Sequence, residues 1–105
     1  MIEMTDNALL EHIKAVNRIT TDDVGIVSEL QELIESAKMD LSMSGIRGEV
    51  LVSPYDPIIV RAISLYTKAN FGFDNPDSDK LMNSYRSLEV HLAISSEYGG
   101  GKSET

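Results

Sequence analysis

The sequence predicts a small all-α domain of four helices, with an extended loop between the second and third helices and a flexible C-terminal tail. Three observations predict it. Apolar residues recur at spacings of three and four through most of the 105 residues. Four cap-type start signals stand before those periodic runs: Thr5-Asp6, Thr20-Thr21-Asp22-Asp23, Asp56-Pro57 and Asn75-Pro76-Asp77. β-Favouring residues gather in one short stretch, Val50-Leu51-Val52, too little for a sheet.

The first helix runs from Thr5 to about Asn17. Leu9, Leu10, Ile13 and Val16 fall on one face, and Thr5 or Asp6 serves as N-cap. The second follows Thr20-Thr21-Asp22-Asp23, a near capping box whose acids suit the helix dipole. Ile26, Val27, Leu30, Leu33, Ile34, Ala37 and Leu41 make its stripe, and Gly45 stops it. Met39 and Met43 sit one turn apart on a different face. An adaptable Met pair there suits packing by a neighbouring molecule, and a loosely covered core edge is the plainer alternative.

Gly45 to Tyr55 is the non-helical stretch, read as an extended arm or a short strand that lacks a partner within the chain. Two glycines flank Ile46-Arg47, which makes Arg47 the cation freest to reach a partner. The third helix starts at Asp56-Pro57. Ile58, Ile59, Ala62, Ile63, Leu65, Tyr66 and Ala69 cover so wide a face that this helix is the expected centre of the fold, and Phe71-Gly72-Phe73 closes it. The fourth helix follows Asn75-Pro76. Leu81, Tyr85, Leu88 and Leu92 repeat at 4, 3, 4, while Val90 and Ile94 form a second apolar pair elsewhere on its surface. Residues 1–98 read as one helical domain and 99–105 as a mobile tail.

Composition narrows the function. The chain has no cysteine, which removes disulfides, thiolate metal sites and cysteine nucleophiles. A net charge of −8 disfavours tracking along DNA phosphates, yet suits a wall past which DNA slides, and acidity also serves solubility. No apolar run approaches the ~18 residues of a membrane span. The N-terminus carries no basic region before its apolar residues, unlike a secretory signal.

Catalytic motifs are not found. His12 and His91 stand in no metal-binding spacing and read as helix-surface residues. Asp74, Asp77 and Asp79 lack the alternate ligands, glycine and terminal Glu of a calcium loop, so helix capping explains them better. Gly45-x-x-Gly48 lacks the Lys-Ser/Thr of a phosphate loop. The expectation is therefore a protein without enzymatic activity, cofactor or metal.

Residues 32–46, ELIESAKMDLSMSGI, and residues 56–99, DPIIVRAISLYTKANFGFDNPDSDKLMNSYRSLEVHLAISSEYG, carry a resemblance. Their order is helix, loop, Asp-Pro helix with Ala62, Leu65, Tyr66, Lys68, Ala69, Asn70, Phe71 and Gly72, then a Tyr/Leu-rich last helix. The chain resembles the head-tail connector (head-completion or adaptor) proteins of long-tailed double-stranded DNA bacteriophages. The more distinctive words are Asn70-Phe71-Gly72 and Asp74-Asn75-Pro76.

That resemblance implies a virion protein, assembled in the host cytoplasm. It implies a four-helix fold that forms a ring, usually of twelve copies, beneath the portal protein. The ring extends the DNA channel, touches double-stranded DNA only in passing, and offers a platform to a head-closure (stopper) or tail-completion protein. It places the portal contact on the C-terminal segment, with Ile94, Tyr98, Gly99 and Gly100. The loop residues Ile46, Arg47, Glu49 and Val50 would face a neighbour or the channel, and Met39, Met43 and Val90 would join ring contacts. The competing reading is a DNA-packaging accessory that acts at the portal without staying in the virion.

Overall fold

A computed structural model describes residues 3–72 and 75–100. Four helices carry the fold: α1 (Asp6–Val16), α2 (Val24–Met43), α3 (Pro57–Asn70) and α4 (Ser78–Ile94), with one 3₁₀ turn at Gly48–Val50. No strand occurs among the described residues. The α3 helix is central, as its wide apolar face predicts: α4, α2 and α1 each pack against it. The radius of gyration is 13.8 Å.

The caps explain the boundaries. Thr5 Oγ1 accepts the Ala8 N–H and opens α1. Asp23, last of the acidic start signal, caps α2 by accepting the Ile26 N–H, and the Thr21 hydroxyl oxygen accepts the Asp23 N–H. Two helices end in a left-handed residue that lets a later N–H reach back to an orphan carbonyl. At Gly45 (φ 106°) the bond runs from Ile46 N–H to Leu41 O. At the end of α1 the left-handed residue is Arg18 (φ 58°), with Ile19 N–H donating to Lys14 O.

The stripes pack as their spacing predicts. Leu9 and Ile13 of α1, Leu30, Ile34, Ala37 and Leu41 of α2, Ile59, Ala62 and Ile63 of α3, and Tyr85 and Leu92 of α4 form one core, which Val60, outside the predicted α3 stripe, also joins. Tyr66 and Tyr85 meet edge to face with ring centroids 5.2 Å apart, a preferred aromatic geometry.

Three local readings differ from the sequence expectation. The stretch from Gly45 to Tyr55 is neither an extended arm nor a strand. It folds over the helices through the Gly48–Val50 turn and inserts Ile46, Leu51 and Tyr55 into the core. Three large apolar residues within ten positions have more to gain from burial than from extension. The fourth helix begins at Ser78, two residues later than a proline at its first position implies. Asn75 is the reason: its side chain accepts the Asp77 N–H and donates to Lys68 O, tying a turn to the end of α3 before the helix starts. Asp56 precedes Pro57 as foreseen but makes no side-chain cap bond, because its carboxylate accepts the Tyr98 hydroxyl instead. Phe73 and Asp74, part of the resemblance and of the calcium-loop test, lie outside the described residues, as do 101–105 of the expected tail.

Candidate functional site

The chain offers surfaces rather than a reaction centre. The first is the segment after α4. Ser95 is extended and ends the helix, its Oγ accepts the Tyr98 N–H, and Gly99 N–H donates to Ser95 O at 3.0 Å. Arg47 closes this turn from the other side. Its N–H donates to Tyr98 O at 2.8 Å and its guanidinium donates to Glu97 O. Tyr98 in turn donates its hydroxyl to Asp56 Oδ2 at 3.1 Å. Loop, α3 start and chain end are thereby pinned together.

Gly99 is required by close approach. A Cβ there would lie 2.1 Å from Ala93 O and 2.8 Å from Ser95 O, both backbone atoms. The expected portal-contact residues are therefore held differently. Ile94 is 77% exposed, Tyr98 is half-buried, Gly99 is buried and Gly100 is exposed with φ 90°. The tail boundary drawn before Gly99 cuts through a packed turn.

The loop residues divide as well. Ile46 is 1% exposed, so its side chain serves this chain's own core and does not reach a neighbour or a channel. Arg47, expected to be free, is committed to Glu97 and Tyr98. Its Nε is buried without a partner among the described residues. Glu49 is exposed and Val50 half-buried.

The second surface lies along α2 and α4. Met39, Met43 and Val90 are 63%, 66% and 58% exposed, large fractions for apolar side chains on a small domain. Met43 adjoins Ser44 and Val90 adjoins Glu89, and the Ser44 hydroxyl donates to Glu89 Oε2. Methionine and valine thus flank one polar seam between the two helices.

That seam is built of charge. Arg86 Nη1 donates to Asp40 Oδ2 and to Glu89 Oε1, each at 2.8 Å, and the buried Tyr85 donates its hydroxyl to Asp40 Oδ2 at 2.7 Å. Burial alone would raise the Asp40 carboxyl. The hydrogen bonds donated by Tyr85 and Arg86 and the charge of Arg86 outweigh it and hold the group below its ordinary range. Burial first, and the Asp40 carboxylate next, push the Tyr85 hydroxyl well above the usual tyrosine range. The sequence pattern marks Tyr85 only as part of the apolar 4, 3, 4 repeat. The i, i+3 spacing of Arg86 and Glu89 was the available signal.

A third feature was not foreseen. A groove of about 830 Å³ runs between α1 and the start of α3, lined by Met4, Val16, Pro57 and Val60 together with His12 and Arg61. Asp56 and Ser64 also line it, so acid, hydroxyl and imidazole share one groove. They form no catalytic relay. The Ser64 hydroxyl donates to Val60 O at 2.7 Å and Asp56 accepts from Tyr98, while no hydrogen bond joins His12 to either among the described residues. A hydroxyl bound into its own helix, with no base on it, is not an activated nucleophile.

No described helix is long and apolar enough to cross a membrane. Among the described residues no group of three or more His, Cys, Asp or Glu could hold a metal ion.

No curated protein matches the chain, and no solved structure matches it. The family model described as phage connector protein matches residues 9–99, which takes in α1 from Leu9 onward, the whole of α2, α3 and α4, and the pinned C-terminal turn. The chain therefore belongs to the phage connector protein family, whose role is structural rather than enzymatic, and is a component of the phage particle.

Proposed function

We propose that the protein forms a closed ring, a dodecamer, beneath the portal of a DNA-filled phage head. The ring extends the DNA channel and presents a docking platform for the head-closure (stopper) or tail-completion protein. Assembly takes place in the host cytoplasm, and the finished ring sits at the head-tail interface of the virion.

The observation that carries this reading is the pair of outward apolar faces, Met39 with Met43 on α2 and Val90 with Ile94 on α4, on a chain of the connector family. Side chains so exposed gain from burial against other chains. Met39, Met43 and Val90 contribute to contacts between copies. Ile94, with the turn held at Tyr98, Gly99 and Gly100, engages the portal. Glu49 and Val50 lie toward a neighbouring copy or the channel, and the net charge of −8 lets DNA pass without adhering.

Quantitative mass spectrometry of purified particles tests the reading. A copy number equal to that of the portal protein is expected. Absence from mature particles refutes the ring, and strong, salt-sensitive DNA binding by the free protein would then favour a DNA-packaging accessory.

A further inference from the structure

We infer that, in the ring proposed above, the outward stripe of α2 on one copy lies antiparallel along α3 of the next and fills its groove. Glu32, Met39 and Met43 form the stripe, and Pro57, Arg61 and Lys68 receive it. The inference rests on the ring reading and assigns the two halves of its lateral contact.

Three observations carry it. Glu32, Met39 and Met43 fall at helical spacing on the side of α2 opposite its buried Leu30, Ile34, Ala37 and Leu41, and all three are exposed. Pro57, Arg61 and Lys68 fall likewise on one exposed line of α3, beside the groove floored by Val60 and Val16. Arg61 enters no salt bridge among the described residues.

The registers match. Glu32 to Met43 and Pro57 to Lys68 each span eleven residues, about 16 Å of helix. Laid antiparallel, Met43 meets the groove at Pro57, Met39 covers the stem of Arg61, and Glu32 meets Lys68. Laid parallel, the same helices set Glu32 over the groove's apolar floor, one turn from Arg61, and put Met43 against the Lys68 ammonium, so that the apolar side chain leaves the apolar floor and the charged one takes its place. Of the acids that also line the groove, Asp56 is engaged by Tyr98 and Glu3 is exposed.

The two halves differ and lie on different helices, so the contact is heterologous. Each copy uses its stripe on one neighbour and its groove on the other, the head-to-tail arrangement from which a ring is built when its rotation closes.

The absence of cysteine makes a direct test possible. Particles are assembled with M39C, with R61C, or with both, and treated with a short bis-maleimide. The double variant is expected to give a ladder of covalent multimers, and each single variant to stay monomeric. The pair E32C with K68C gives the same ladder from the other end of the contact, which guards against one variant failing to fold. Dimers from M39C alone would mean a two-fold contact and overturn the inference, as would capture of another virion protein by R61C alone. Copy number is measured on the same particles. A multicopy chain without a ladder sinks only this pairing, whereas absence of the chain sinks the ring and the pairing with it.

Discussion

Replacing Gly99 by alanine tests whether the C-terminal turn is built as described. The new Cβ would stand 2.1 Å from Ala93 O and 2.8 Å from Ser95 O. Both are backbone atoms at the end of α4, so no flexible side chain can yield. Relief requires the turn to move away from the helix. That movement breaks the Gly99 N–H bond to Ser95 O (3.0 Å) and pulls Tyr98 O from Arg47 N–H (2.8 Å). Two backbone bonds at about 0.5–1.5 kcal/mol net each give a loss of about 1–3 kcal/mol. Holding the turn in place against the clash costs about the same, 1–3 kcal/mol. Either route lowers Tm by roughly 4–8 °C per kcal/mol for a domain near this size. Thermal unfolding followed by circular dichroism reads the loss, and amide exchange of Arg47 tells the routes apart, since only a displaced turn exposes that N–H. Gly48→Ala is the control, because a Cβ at Gly48 meets nothing within 4 Å. A G99A protein with wild-type Tm and a protected Arg47 amide would refute the close approach.

Three further outcomes are expected. Tyr85→Phe removes the donor to Asp40 inside the polar seam and lowers stability by about 1–2 kcal/mol in urea unfolding; an unchanged midpoint would mean that the bond contributes nothing. Asp40 is held below its ordinary range, so its stabilising contribution is present above its unfolded pKa, near 3.8, and is lost as pH falls through the lower folded value. Unfolding midpoints measured from pH 5 downward fall accordingly in the wild type, and Asp40→Asn flattens that part of the decline. Arg18→Gly removes the left-handed strain at φ 58° and is expected to raise stability by up to about 1 kcal/mol; a lower Tm would show that the Arg18 side chain outweighs the strain.

The helices were legible because their signals are local. Periodicity located Leu30, Ile34, Ala37 and Leu41 on the buried face, and α3 followed as the centre from the width of its stripe. Cap chemistry placed the ends of α1 and α2 within about two residues. It failed at α4, where Asn75 answers Lys68 and Asp77 rather than capping a helix at Pro76. The loop failed for the same physical reason. Glycines beside Ile46-Arg47 signal freedom, but Ile46 has a core to enter, and the Arg47 partners stand fifty residues away at Glu97 and Tyr98. The groove between α1 and α3 is set by how two helices diverge, which no spacing within either records. The outward apolar pairs were legible as faces: a residue off the main stripe is predicted to be exposed, and Met39, Met43, Val90 and Ile94 all are.

Those exposed pairs and the acidic charge pull against each other, and the conflict bears on where a ring could form. Burying a methionine fully is worth about 1.5–3 kcal/mol, whereas bringing two free chains together costs an estimated 4–15 kcal/mol. Each copy also carries −8, a repulsion felt over about 8 Å at physiological salt. A contact of two methionines and a single ion pair is therefore weak between free copies. On a template that already seats each copy at its own site, the freedom is surrendered to the template. Neighbours then meet at an effective concentration in the millimolar range, and the same contact suffices to close the ring. The pinned turn after α4 fits this order of events. Tyr98 and Gly99 are fixed within the chain by Arg47, Ser95 and Asp56, so the neighbouring Ile94 is presented in a set geometry before any partner arrives and little ordering entropy remains to be lost on docking. For the ring proposed above, these magnitudes favour seating on the portal first and lateral closure second.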